Sequence, residues 1–192
     1  MIRSFHVADL FTLANGFCGL GAVFQAMEFL ATGARWRLYL AACLVPVAFV
    51  FDVLDGRVAR WRHESSPLGR EMDSLADVIS FGVAPACIAF AAGLDRALDQ
   101  IVLMYFVGCG LSRLARFNIT ADSLSGSAGT VTHFEGTPIP TSVVPLALLM
   151  LAVHQDWLYL VRVLGMEIHL VVLLFLLSGT LMISKTLRIP KL

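Results

Sequence analysis

Six charge-free apolar stretches constrain this chain more than any other feature. They run from Leu10 to Met27, Leu38 to Phe51, Val78 to Leu94, Gln100 to Ser112, Gly136 to Gln155 and Ile168 to Ser184. A bilayer core takes roughly 20 helical residues to cross, so several stretches reach across only if their helices continue into charged flanks. Carboxylates and arginines then stand at, or just inside, the membrane boundary. A soluble fold offers no alternative, because 58% of the 192 residues are hydrophobic and only 15% are charged. One soluble core of this size lacks the interior to hide that much apolar surface. The expected fold is therefore an all-α integral membrane protein of six transmembrane helices, with residues 1–192 forming a single transmembrane domain without internal repeats.

Charge and cysteine usage exclude other classes. Fourteen basic residues balance 14 acidic ones, so no bulk field points to nucleic acid. Cys18, Cys43, Cys87 and Cys109 stand singly in apolar stretches and read as small buried residues. The first apolar stretch begins after Asp9 without a basic start or a small-residue cleavage site, unlike a signal peptide. Thr32-Gly33, Gly93 and the run Ser123 to Ser127 supply turns between spans. With both termini inside, Arg3, Arg57, Arg60, Arg62, Arg70, Arg113, Arg116, Lys185, Arg188 and Lys191 gather on one side of the membrane. Only Arg35, Arg37, Arg96 and Arg162 fall on the other. That bias predicts cytoplasmic termini and places the loop after the second span in the cytoplasm.

That loop joins the acidic stretch DVLDGRVARWRHESSPLGREMDSLAD, residues 52–77. Asp52, Asp55 and Ala59 share one helical face, Asp73 and Asp77 stand at i and i+4 on the next helix, and Ser65 to Gly69 permits a tight turn. Two antiparallel neighbouring helices would then bring four carboxylates together near the boundary. Each charge costs about 2.5–3.5 kcal/mol near the bilayer centre, and less toward the interface. A salt-bridge network with Arg57, Arg60, Arg62 and Arg70 would offset that cost. Gly56, Ala59 and Gly69 nevertheless strip the acidic face of side chains, which a bridge does not require and an approaching phosphate does. All-oxygen donors suit a hard cation such as Mg²⁺ or Mn²⁺.

The eight positions Asp52, Asp55, Gly56, Ala59, Arg60, Gly69, Asp73 and Asp77 match, gap for gap, the motif of the CDP-alcohol phosphotransferase family, which this chain resembles. The resemblance implies a six-helix membrane homodimer that displaces CMP from a CDP-linked lipid using a divalent metal pair. It implies that Asp52, Asp55 and Asp73 ligate metal, and that Asp77 completes the site and acts as general base. Gly56, Ala59 and Gly69 would leave room for the nucleotide, and Arg60 would contact its phosphates. Three further stretches, Ser80 to Ala86, Leu111 to Asn118 and Phe134 to Ser142, are similar to the phosphatidylserine synthase branch, as is Phe11 to Gly19. The branch implies CDP-diacylglycerol and L-serine as substrates. Thr137 departs from it, standing where leucine is expected before Pro-Ile-Pro.

Several residues carry two readings. Arg113 and Arg116 either anchor a cytoplasmic helix end or hold a serine carboxylate or lipid phosphate. Glu135 either meets the serine ammonium group or faces water. Thr12 and Asn15 share a face of the first helix and bond either the nucleotide or a neighbouring helix. Gly82 and Pro85 read as a kink. Rival functions are a sister enzyme using inositol phosphate, glycerol phosphate or choline, an archaeal-type lipid donor, and, from another class, a divalent-cation carrier. A carrier predicts acids spread through the bilayer and usually a repeat, whereas here they cluster at one boundary.

Overall fold

The structure, a computed structural model, describes residues 7–62, 67–125, 133–163, 165–184 and 188–190. Helices α1 (Val7–Thr32) and α2 (Arg35–Arg62) form a hairpin closed at Gly33, whose φ of +69° is a conformation that side-chain-bearing residues rarely adopt. α3 (Pro67–Asp77) runs through a π turn (Val78–Val83) into α4 (Ala84–Ala91). α5 (Ala97–Ser125), α6 (Val143–His154) and α7 (Val172–Ile183) complete the bundle, α6 being entered by a 3₁₀ turn (Ile139–Ser142). Among the described residues, four helical segments are long and apolar enough to cross a membrane. They are Ala8–Thr32, Arg35–Arg62, Leu68–Ala91 and Ala97–Ile119; Ile139–His154 and Val172–Ile183 are shorter apolar helices.

The bundle is built with small and polar residues inside and large apolar ones outside. On α1 the buried stripe is Thr12, Asn15, Gly19, Ala22 and Ala26, while Phe17, Leu20, Phe24 and Met27 are exposed. Water would reverse this pattern. In lipid, tails solvate the large side chains and small residues let backbones approach. The inward stripe of α2 is Leu38, Ala41, Val45 and Ala48, and the same spacing continued one turn reaches Asp52 and the buried Asp55. The site is thus the continuation of the packing seam.

The kink expected at Gly82 and Pro85 takes the form of the π turn. Pro85 has no N–H, and the Ala84 N–H reaches back five residues to the Ile79 carbonyl. Two features lie outside an all-helical reading. β2 (Leu160–Val163) and β3 (Met166–His169) form an antiparallel hairpin, and β1 (His133–Glu135) pairs with β4 (Arg188–Pro190). The hairpin is fastened to the start of α5 by buried Asp99. Its Oδ1 accepts the His169 backbone N–H at 2.9 Å, and its Oδ2 lies 2.6 Å from His169 Nδ1. The longest predicted loop, Ser123 to Ser127, opens as the last turn of α5 through Ser125; its remainder lies outside the described residues, as do residues 185–187 and 191–192 of the basic tail.

The arrangement of α1, α2 and α3 differs from the expected antiparallel pair. α1 packs against both α2 and α3, far more extensively than these two pack on each other. It also approaches the π turn closely at Gly19, where an added Cβ would lie 2.7 Å from the Ser80 Cα; at Gly16 it would meet the Ala76 Cβ of α3 at 3.5 Å. Gly19→Ala should therefore destabilise the bundle by about 1–3 kcal/mol through overpacking, read as a lower melting temperature in detergent. Gly21→Ala, whose methyl would meet only Leu44 Cδ1 at 3.5 Å, should leave it unchanged.

Candidate active site

The carboxylates sit toward the end of the bundle where α1, the α3–α4 span and the 3₁₀–α6 unit begin and α2 and α5 end. Asp52, Asp55 and Asp73 each direct one carboxylate oxygen into a cluster whose members all lie within 4.8 Å of one another. Asp55 is 6% exposed and Asp77 7%. Three like charges at this separation, only partly exposed to water, repel and call for a neutralising partner. The donor set fits a divalent cation, since opposite oxygens around one such ion stand about 4–5 Å apart. Asp73 Oδ1 supports the fit, being buried without a hydrogen-bond partner.

Asp77, one helical turn beyond Asp73, is not a member of this three-oxygen cluster. Its Oδ1 accepts a hydrogen bond of 3.1 Å from Asn15 Nδ2. Thr12 Oγ1 donates in the same way to Asp55 Oδ2 at 2.9 Å. The two α1 side chains are thus spent on the carboxylates of α2 and α3. The bond to a neighbouring helix, one of their two expected uses, is formed in both cases.

Beside Asp73 and Asp77 opens a cavity of about 340 Å³. Its walls include Arg70 and Ser74 from α3, Arg113, Phe117 and Asn118 from α5, and Gly136 and Pro138 from the segment before α6. Arg113 therefore faces the acids, with its guanidinium 5.8 Å from the Phe117 ring centre, whereas half-buried Arg116 is not among the lining residues. Asn118 ties α5 to α3, its Nδ2 donating to Ser74 Oγ at 3.0 Å and to Glu71 Oε2 at 3.3 Å. Gly56, Ala59 and Gly69 are half-buried, and Arg60 is exposed, with its Nη1 3.7 Å from where a Gly56 Cβ would stand. Thr137 donates its backbone N–H to the Leu181 carbonyl at 3.2 Å, while its hydroxyl is buried without a partner. The backbone of Glu135 lies in β1, but its side chain falls outside the described residues.

Ser74, Glu71 and the role of Asn118 were missed by sequence reasoning. The available signal was positional: Ser74 follows Asp73, and Asn118 ends the helix that carries Arg113.

Fold and site together define an integral membrane enzyme that holds a cluster of aspartates inside one end of a helix bundle. The chain belongs to the CDP-alcohol phosphatidyltransferase family, whose model matches residues 5–181. It is 42% identical over 200 residues to the CDP-diacylglycerol–serine O-phosphatidyltransferase of Saccharomyces cerevisiae, an alignment covering 100% of this chain and 72% of that protein. The Helicobacter pylori protein of the same name (strain 26695) is 39% identical over 74% of this chain and 56% of its own length. The archaetidylserine synthase of Methanothermobacter thermautotrophicus is 44% identical over 72% of this chain and 55% of its own. The alignments thus span little more than half of these bacterial and archaeal relatives. Family membership removes the carrier reading in favour of an enzyme.

The Asn118 link is testable without substrate. A double-mutant cycle of Asn118→Leu with Ser74→Ala, read as unfolding free energy in detergent, should give a coupling of about 0.6 kcal/mol, the usual size of such bonds between membrane helices. A coupling near zero would remove this bond from the wall of the cavity.

Proposed function

We propose that residues 1–192 act as one catalytic domain that transfers the phosphatidyl group from CDP-diacylglycerol to L-serine, yielding phosphatidylserine and CMP. The observation that carries this reading is the juxtaposition of the Asp52, Asp55 and Asp73 cluster, Asp77 and an arginine-bearing cavity. Relatives named for serine transfer support the choice of acceptor.

Asp52, Asp55 and Asp73 would hold Mg²⁺ or Mn²⁺, with Asp77 completing a two-metal site. Cations bound there spread the charge that grows on the departing CMP. Gly56, Ala59 and Gly69 leave the acidic face open to the nucleotide, and Arg60 stands at its edge for the phosphates. Serine enters the cavity with its carboxylate on Arg113, in the charge-assisted pairing a guanidinium favours. Its ammonium group meets oxygens of Asn118 and Ser74. Arg116 and Glu135 would also contact the acceptor. Asp77 takes the proton from the serine hydroxyl as the Oγ–phosphorus bond forms and the phosphorus–oxygen bond to CMP breaks. The reaction is a direct in-line displacement.

Arg57, Arg60, Arg62, Arg70, Arg113 and Arg116 all belong to the carboxylate end of the bundle, so the active site faces the cytoplasm. The enzyme works as a homodimer. A second reading of the donor, an archaeal-type ether lipid, is favoured by the archaetidylserine synthase match and leaves the acceptor chemistry unchanged.

The test is CMP release by purified protein in detergent, with Mg²⁺ or Mn²⁺ against EDTA. CDP-diacylglycerol should give metal-dependent release stimulated by serine, and not by inositol phosphate, glycerol phosphate or choline. Asp77→Asn should lower the rate by about 10²–10⁴-fold, the usual contribution of a general base. Stimulation by another alcohol instead would overturn the acceptor, and release only with CDP-archaeol would overturn the donor.

A further inference from the structure

The first helix lies outside the acidic motif, yet it donates side-chain hydrogen bonds to two of the acids. Thr12 and Asn15 are 4% and 0% exposed, one turn apart on a single face. Each donates to one carboxylate, and the two carboxylates belong to different helices. Asn15 is also fixed through its main chain, whose carbonyl accepts a 2.9 Å bond from Ser80 Oγ in the π turn. Its Oδ1 is buried and meets no donor, so the bond to Asp77 alone orients the amide. Because α2 and α3 barely touch each other, α1 sets the distance between the two halves of the site.

We propose that α1 is a positioning element with two separable tasks: Thr12 holds Asp55 for cation binding, and Asn15 holds Asp77 for proton transfer. The inference rests on the metal and base roles proposed above. The Thr12 hydroxyl occupies Oδ2 of Asp55 and fixes the rotation of that carboxyl group. One oxygen is thereby turned toward Asp52 and Asp73. A carboxylate that must hold a cation loses affinity when it is free to turn. The Asn15 amide occupies Oδ1 of Asp77 and leaves Oδ2 as the oxygen that meets the reacting hydroxyl. Each acts through the carboxylate it bonds, so both are positioning residues. The two tasks differ because Asp55 lies in the three-oxygen cluster and Asp77 does not.

The experiment measures Mn²⁺ binding by electron paramagnetic resonance, without substrate, alongside steady-state kinetics of CMP release. Thr12→Val should weaken Mn²⁺ binding and raise the half-activating Mn²⁺ concentration by about 10-fold or more, with kcat at saturating metal nearly retained. Thr12→Ser, which keeps the hydroxyl, should restore both. Asn15→Leu should leave unchanged the Mn²⁺ ion bound at the Asp52, Asp55 and Asp73 cluster and lower kcat by about 10–100-fold, with KM values unchanged and no recovery in excess metal. Asn15→Ala replaces it if the leucine variant does not fold. Ser80→Ala is the structural control, since it removes a bond that docks α1 without touching either carboxylate. It should lower the melting temperature while leaving Mn²⁺ affinity and kcat in place. Unchanged Mn²⁺ affinity in Thr12→Val overturns the proposal. So does a raised KM for CDP-diacylglycerol with normal kcat, which would assign these side chains to the nucleotide. Reproduction of both defects by Ser80→Ala would reduce the role of α1 to stability and overturn it as well. Failure of the wild type to bind Mn²⁺ or release CMP would instead overturn the underlying reading of the site.

Discussion

Everything at the functional end of this molecule follows from one constraint: carboxylates drawn together inside a membrane bundle must be held by the protein itself. Water at the boundary cannot orient a group such as Asp55 or Asp77, each nearly inaccessible. Their partners come from α1, through short bonds from Thr12 and Asn15. A polar side chain on a span is costly in lipid unless its donors find acceptors within the bundle. The buried acids and the buried hydroxyl and amide therefore satisfy one another. Removing either set leaves the other unmatched, which is why the polar stripe of α1 stands at the same depth as the acids.

The small residues serve the same end. A hydrogen bond of about 3 Å between helices requires backbones closer than large side chains permit. Gly16 and Gly19 provide that approach against Ala76 and Ser80. The pattern repeats where the 3₁₀ turn meets the bundle, since a Cβ on Gly110 would lie 2.8 Å from Ile139 Cδ1. Seating Ile139 there fixes the neighbouring Pro138 in the cavity wall. Close packing in the apolar half of the bundle thus sets the width of the polar site.

How much of this was legible in the sequence depends on the range of the interaction involved. The acidic faces were readable because helical periodicity is local: Asp52 and Asp55 extend the stripe of Leu38, Ala41, Val45 and Ala48. The charge-free stretches marked the helices for the same reason. The partner of each acid was not readable. Thr12 pairs with a residue 43 positions away and Asn15 with one 62 positions away. No spacing rule reaches that far, so both were left between the nucleotide and a neighbouring helix. The π turn was legible only as a kink, because Pro85 declares the missing N–H but not the carbonyl that receives the next one. The β2–β3 hairpin was missed because its few alternating residues lie between apolar spans, and Asp99, which fastens it, is 70 positions from His169.

The order of the elements explains why the polar stripe is carried by the first helix. α2 and α3 are joined by a short connection, but at their acidic ends carboxylate faces carboxylate, and repulsion opposes a direct contact. A third helix that meets those acids with the neutral donors Thr12 and Asn15 relieves that conflict, because hydroxyl and amide groups add dipoles without adding charge. A lysine or arginine at either α1 position would neutralise an acid and compete with any cation for it. Threonine and asparagine orient the oxygens and leave their charge available, which is what a site that must take up a divalent ion and later a proton requires of its supporting helix.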